Sequence, residues 1–276
     1  MVDLAELLTD LDAESADLDR VVAGLPDEAW RRPTPAPGWT VAHQIAHLAW
    51  TDSVATLAAT DREGFAAVLA EAARDSTGLV DRTAADGIGP DLLDRWRRGR
   101  RALQEALAGA DPGAKLPWFG PPMSPAMTAT GRLMETWAHG QDVADALGIT
   151  RTPTARLRHV AYIGFRTLGH GFAAHGRPVP SESVRVELTA PDGELWTLGP
   201  ADAANRVTGS ALDFCLLVTQ RRHRADLALK ATGPVADEWL DVAQAFAGPP
   251  GAGREPGAGR EPGAGREPEA GREPAK

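Results

Sequence analysis

The sequence predicts an α+β protein in three parts: a helical bundle over residues 1–177, a small α+β unit over 181–248, and a disordered tail over 249–276. Three observations carry this prediction. Apolar residues recur at helical spacing in long segments up to about residue 175. After Pro178-Val-Pro180 the pattern turns to alternation around an Asp-Gly hairpin signal. Beyond Gly248 the chain repeats Gly-Ala-Gly-Arg-Glu-Pro in tandem, with no large apolar side chain to offset the entropy of ordering it.

Leu4, Leu7, Leu8, Leu11, Leu18 and Val22 mark a first helix that Gly24-Leu-Pro26 stops. Residues 30–38, with three prolines, form an extended connection. Thr40 caps a second helix running to about Ala59. A shorter one follows over 63–73, then a loop containing Gly and Asp. Leu and Arg around Trp96 make a helix of 91–108, and Pro117-Trp-Phe-Gly-Pro-Pro122 is a rigid aromatic loop. The next helix spans 125–147 and ends at Gly148, a favoured residue just past a helix terminus. A fifth long helix is expected over 154–175.

In the second part, Val184, Val186 and Leu188 alternate with charged residues, turn at Pro191-Asp-Gly-Glu194, and return as Leu195-Trp-Thr-Leu198. Short strands are expected at 206–208 and 227–231, with helices at 210–220 and 235–246. The tail, in which Arg and Glu alternate and cancel, reads as a dispensable appendage.

With 29 Lys+Arg against 38 Asp+Glu the net charge is −9, which argues against nucleic acid or anionic lipid as partner, since both bind through clustered positive charge. The single cysteine, Cys215, permits no internal disulfide and reads as a packing residue. The N-terminus has no basic, apolar and small-residue succession of a secretory signal, and no apolar run reaches the ~18 residues of a membrane span. The expectation is a cytoplasmic protein acting on small molecules, as a monomer or homodimer.

The stretch TVAHQIAHLAW places His43 and His47 about 40° apart on the second helix, close enough for both to reach one ion. Valine, isoleucine and leucine fill the opposite side and Trp50 shares theirs, so the histidines face something buried. In RLMETWAHGQDVADALG, Glu135, His139 and Asp142 form a polar stripe opposite Leu133, Trp137 and Leu147. A Glu-x3-His pair spans one helical turn and offers a carboxylate oxygen and an imidazole nitrogen to a shared point, a spacing that suits a divalent cation. His159, His170, His175 and His223 lack a partner at such spacing. No glycine-rich nucleotide motif or serine-hydrolase elbow is present.

Pro37-Gly-Trp-Thr-Val-Ala-His43-Gln-Ile-Ala-His47-Leu, the later Glu135-Thr-Trp-Ala-His139, and Val207-Thr-Gly-Ser-Ala-Leu-Asp213 together resemble the mycothiol-dependent maleylpyruvate isomerase family of the DinB superfamily. The resemblance covers nearly all of residues 1–248. It implies a DinB-like four-helix bundle holding a divalent metal, with His47, Glu135 and His139 as ligands, followed by a smaller C-terminal domain. It gives His43 no ligand role, leaving that residue to line the pocket, support a ligand, or be unrelated. Asp142 is then an orienting partner of His139 or a base, and His43 and Asp142 are the candidate catalytic residues. Trp50 would wall the thiol pocket, while Arg206 and Arg222 would hold polar parts of the thiol or an acidic substrate. Zinc is the first choice of metal, with nickel, iron and manganese compatible with two histidines and one carboxylate. An Ala-, Arg- and Asp-heavy composition fits an actinobacterial source, where mycothiol is the main small thiol.

The expected function is a metal-dependent mycothiol-type transferase or isomerase acting on an electrophilic metabolite. The alternatives are a thiol-independent metal enzyme catalysing hydrolysis, cyclisation or isomerisation, and a metal- or small-molecule-binding protein without turnover.

Overall fold

The computed structural model describes residues 3–75, 78–248, 251 and 253–257. Most of the expected tail, residues 249, 250, 252 and 258–276, lies outside them. Four long helices make the bundle: α1 (Leu4–Val22), α3 (Val41–Thr60), α6 (Leu92–Ala108) and α7 (Pro125–Leu147). Among these, α3 packs against α6 and α7, and α1 against α7 and α6. Three shorter helices lie between them: α2 (Asp27–Trp30), α4 (Arg62–Arg74) and α5 (Leu79–Asp86).

Local chemistry sets the ends of the two helices that matter most. At the start of α7, Ser124 accepts a hydrogen bond from the Met127 amide, and Pro125 follows with its ring already at helical φ. Its end is Gly148 at φ +68°, a left-handed conformation that glycine adopts without steric cost. Burial of α3 extends almost all round, because α4, α5, α6 and α7 surround it. Gln44, His47, Thr51 and Asp52 are therefore buried along with Val41, Ile45 and Leu48.

Two short helices were not expected. α2 and α5 are too brief for periodicity to separate from turns; α5 packs against α3, with its Leu79 and Ala84 buried. The helix expected over 154–175 divides into α8 (Leu157–Arg166) and α9 (Leu168–Ala174). At the break, the Thr167 hydroxyl donates to the Ile163 and Gly164 carbonyls at 3.0 and 3.1 Å, competing with the helical ladder.

The sheet runs β2-β1-β3-β4, with β1 (Val184–Thr189), β2 (Leu195–Leu198), β3 (Asn205–Ser210) and β4 (Lys230–Thr232). β3 lies parallel to β1, and the two edge pairings are antiparallel. The strand expected over 227–231 is shorter and later, since only Lys230–Thr232 lies opposite Arg206 to Thr208 and a 3-10 turn occupies Arg224–Asp226. α10 (Ala211–Val218) packs on α8, and α11 (Pro234–Val242) on β3, β4 and α9.

One apolar cluster runs from Leu7 and Leu133 in the bundle through Val160 to Val186, Phe214 and Trp239, so the two parts share a core. Among the described residues no helix is long and apolar enough to cross a membrane. α9 approaches α11 so closely at Gly171 that a Cβ there would sit 2.5 Å from the Val242 carbonyl oxygen. Gly171→Ala is expected to lower stability by about 1–3 kcal/mol, read from urea denaturation, as overpacking against rigid backbone does.

Candidate metal centre

The segment entering α3 does more than cap it. Thr40 and His43 form a capping box, with the His43 Nδ1 3.2 Å from the Thr40 amide and 2.8 Å from its hydroxyl. His43 is thus occupied at the helix start, under the Trp39 ring at 6.3 Å. His47, one turn further along the same face, reaches across the α3–α7 contact.

There it meets Glu135 and His139. Glu135 Oε2 lies 3.1 Å from His139 Nε2 and 3.5 Å from His47 Nε2. One ligand atom from each of the three falls within 4.8 Å of the others. Burial pushes the Glu135 carboxyl up, but the adjacent His139 and His47 imidazoles and the nearby Arg132 charge outweigh it, holding Glu135 well below the usual carboxylate range. Burial pushes His139 down to about 4, so its ring is neutral at pH 7.

The proton on that neutral ring can be placed. The Thr34 hydroxyl donates its one hydrogen to the Trp39 carbonyl at 3.0 Å, so toward Gln44 it can only accept. Gln44 therefore presents Nε2 to Thr34, at 2.8 Å, and Oε1 to His139 Nδ1, at 2.5 Å. His139 Nδ1 must donate, which leaves Nε2 as a lone pair facing an ionised carboxylate. Two acceptors 3.1 Å apart repel unless a cation lies between them. The donor set, two imidazole nitrogens and one carboxylate oxygen, fits a divalent metal with coordination positions to spare.

Aromatic rings enclose the three. Trp39 stacks on His139 with centroids 6.0 Å apart and planes at 20°, and sits 5.3 Å from His47. Its indole N–H donates to Asp81 on α5 at 2.8 Å. Trp50 lies 6.2 Å from the His47 ring and 6.3 Å from Phe119. Behind the trio, Arg132 Nε donates to Asp52 at 2.9 Å in an ion pair whose side chains are 2% and 5% exposed.

The structure thus brings His47, Glu135 and His139 together with Trp50 beside them, and puts the other candidates elsewhere. Asp142 does not contact His139; its carboxylate pairs with Arg221 at 2.9 Å and with Arg254. At three residues past His139 it leaves the helix on a different bearing, toward Arg221 and Arg254. Gln44 takes the orienting place expected of Asp142. Arg206 is engaged with Glu187 and the Ala201 carbonyl, on the sheet. Arg222 makes two bonds to Asp145, at 2.7 and 2.8 Å, and lines a cavity of about 470 Å³ with Gln220, His223 and Arg224.

Sequence reasoning missed Gln44, Trp39 and the Asp52–Arg132 pair. The available signal was that α3 is apolar nearly all round, so each polar residue on it needs a buried partner.

Gln44→Ala should weaken metal binding about 10- to 100-fold in competition with a chromogenic chelator, as loss of a ligand-orienting acceptor does. His43→Ala should change it little. The metal-free protein should also be acid-sensitive in a defined direction. Because the folded His139 pKa of about 4 lies below the ordinary 6.5, its contribution to stability is complete above pH 6.5 and is lost as pH falls toward 4. The depressed Glu135 acts in the same sense at lower pH. Urea midpoints across this range should fall with pH, with a shallower slope in His139→Asn.

Comparison with known proteins places these residues in context. The family model described as the mycothiol maleylpyruvate isomerase N-terminal domain matches residues 11–144, a span that includes all three candidate ligands. A second model, described as wyosine base formation, matches residues 180–232. Uncharacterized proteins from two strains of Mycobacterium tuberculosis, H37Rv and CDC 1551, are each 54% identical over 257 residues, 92% of this chain and 100% of theirs. The crystal structure of the mycothiol-dependent maleylpyruvate isomerase shares the fold at TM-score 0.54 and 18% identity. A point mutant of that enzyme does so at 0.56 and 19%, each comparison covering 83% of this chain and 93% of the other.

Proposed function

The chain belongs to the family marked by the mycothiol maleylpyruvate isomerase N-terminal domain, and from that premise we propose that it is a divalent-metal-dependent enzyme using mycothiol or a related small thiol. Its reaction is isomerisation of, or thiol transfer to, an electrophilic small metabolite. The observation that carries this reading is the neutral His139 whose Nε2 lone pair faces the ionised Glu135, next to His47.

His47 Nε2, Glu135 Oε2 and His139 Nε2 would hold the metal, zinc first among those that suit such donors. When bound, it supplies Lewis acidity that brings a thiol proton, ordinarily of pKa ~8.5, off at neutral pH. The protein's own residues do the rest. Gln44 keeps the His139 proton on Nδ1, away from the metal side. Glu135 contributes the single negative charge, so a divalent ion keeps net positive charge toward the sulfur. Trp39, Trp50 and Phe119 form apolar walls that strengthen those electrostatics by excluding water.

In an isomerisation the thiol sulfur adds to a carbon of a conjugated double bond while the proton is taken up at the neighbouring position. The new single bond rotates, and loss of that proton and of the thiolate restores the double bond in the other geometry. The thiol is regenerated, as a cofactor must be. In a transfer the carbon–sulfur bond remains. A reducing cytoplasm, where the thiol persists, is the compartment this chemistry needs.

Alanine at His47, Glu135 or His139 should each cut bound metal at least about tenfold by elemental analysis, since each removes a ligand. Mycothiol added to the cobalt-loaded protein should produce a sulfur-to-metal absorption band in the near ultraviolet. A spectrum unmoved by mycothiol, with metal still bound, would leave a thiol-free metal enzyme as the correct reading.

A further inference from the structure

The contact between α3 and α7 carries a ladder of three polar rungs. Gln44 reaches His139, His47 reaches Glu135, and Asp52 reaches Arg132. Going forward along α3 from Gln44 to Asp52 covers nearly the same length as going back along α7 from His139 to Arg132, the relation of two antiparallel helices in one fixed register. Among the described residues these rungs are the only side-chain hydrogen bonds or ion pairs that join the two helices. The buried hydroxyls of Thr51 and Thr136 instead donate back within their own helices, to the His47 and Arg132 carbonyls at 2.8 and 2.9 Å.

The third rung stands apart from the other two. Gln44, His47, Glu135 and His139 all belong to the metal centre, whereas Asp52 and Arg132 lie about one turn away from it on each helix. Both are buried, at 3% and 2% exposure, where charge is expensive. Burial pushes the Asp52 carboxyl up even with Arg132 beside it. Nor is the pair built for strength: one hydrogen bond joins it, from Arg132 Nε, and Arg132 Nη2 is buried without a hydrogen-bond partner among the described residues. So sparsely bonded a buried pair adds little stability over apolar side chains of the same size, and fixing register is the best-attested use of such pairs.

Register matters at this contact because the donors are divided between the helices. His47 comes from α3, Glu135 and His139 from α7. A slip of one turn, about 5.4 Å, exceeds the 4.8 Å within which the three donor atoms lie. The middle rung cannot guard against such a slip, since it is made of two of the metal's own donors and gives way when the metal binds. The Asp52–Arg132 rung is untouched by that exchange.

Resting on the reading of His47, Glu135 and His139 as metal ligands, we propose that Asp52 and Arg132 are positioning residues for the metal centre: their ion pair sets the register of α3 against α7, so that His47 already stands beside Glu135 and His139 when the metal enters. Neither residue is a ligand. Their effect is to spare the ion the cost of drawing two helices into line.

NMR of the metal-free full chain, with the histidines assigned by substitution, gives the first test. The His47 and His139 ring centroids are 4.6 Å apart, so a nuclear Overhauser contact between their carbon-bound ring protons is expected in the parent without metal. Its absence would overturn the proposal whatever the variants do. The double variant Asp52→Leu/Arg132→Met replaces the pair by apolar side chains and should fold with a urea midpoint at or above the parent's. It should lose the ring contact and bind zinc about 10- to 100-fold more weakly in competition with a chelator, as loss of a supporting shell does. Arg132→Lys keeps an ion pair between the helices and should bind zinc within about threefold of the parent, because the rung survives. A folded double variant that binds zinc as the parent does, or a lysine variant as weak as the double variant, would contradict the assignment. Should the parent bind no zinc, the metal reading fails, and the ring contact still decides whether the pair sets the register.

Discussion

The site depends on one hydrogen bond, from His139 Nδ1 to the Gln44 side-chain oxygen. Without it the neutral imidazole could carry its proton on either nitrogen, and the tautomer with Nε2–H would satisfy Glu135 and leave no lone pair to offer. With it, the proton is fixed on the far side. The direction of the Gln44 amide is in turn fixed by Thr34, whose hydroxyl hydrogen is already given to Trp39. Four residues on the entry loop, α3 and α7 thus agree on a single protonation pattern, and the pattern calls for a cation.

That arrangement explains why α3 is buried on nearly every side. A helix with one wet face would have let water solvate Gln44 and His47, and the tautomer would be free. Wrapping α3 with α4, α5, α6 and α7 forces each polar group on it to find a protein partner. Asp52 finds Arg132, His43 finds Thr40, and Gln44 finds both Thr34 and His139. His47 Nδ1 alone of these has no hydrogen-bond partner among the described residues. The buried Arg132 charge in turn helps keep Glu135 ionised.

Much of this was legible in the sequence, though unevenly. The long bundle helices and the change to strands near residue 180 follow from periodicity, and the one-turn Glu135–His139 spacing is a local property of α7. Convergence of His47 onto that pair is not local. It came from resemblance to a family, and the fold supplies the geometry. Gln44 was illegible because an amide in a helix carries no mark of what it faces. Asp142 looked like a partner for His139 because the two are close in sequence, yet three residues of helix turn it toward Arg221 and Arg254. Arg206 and Arg222 looked free to bind a ligand because the carboxylates that take them, Glu187 and Asp145, are distant in sequence. The α8–α9 break turns on where the Thr167 hydroxyl points, which composition does not record.

The account can be tested at its narrowest point. Nitrogen-15 NMR of the imidazole rings in metal-free protein at pH 7, with His139 assigned by substitution, reports which ring nitrogen holds the proton. The hydrogen-bond chain from Trp39 through Thr34 and Gln44 requires a neutral His139 ring protonated at Nδ1, with Nε2 a bare lone pair. A ring protonated at Nε2, or on both nitrogens, would contradict it.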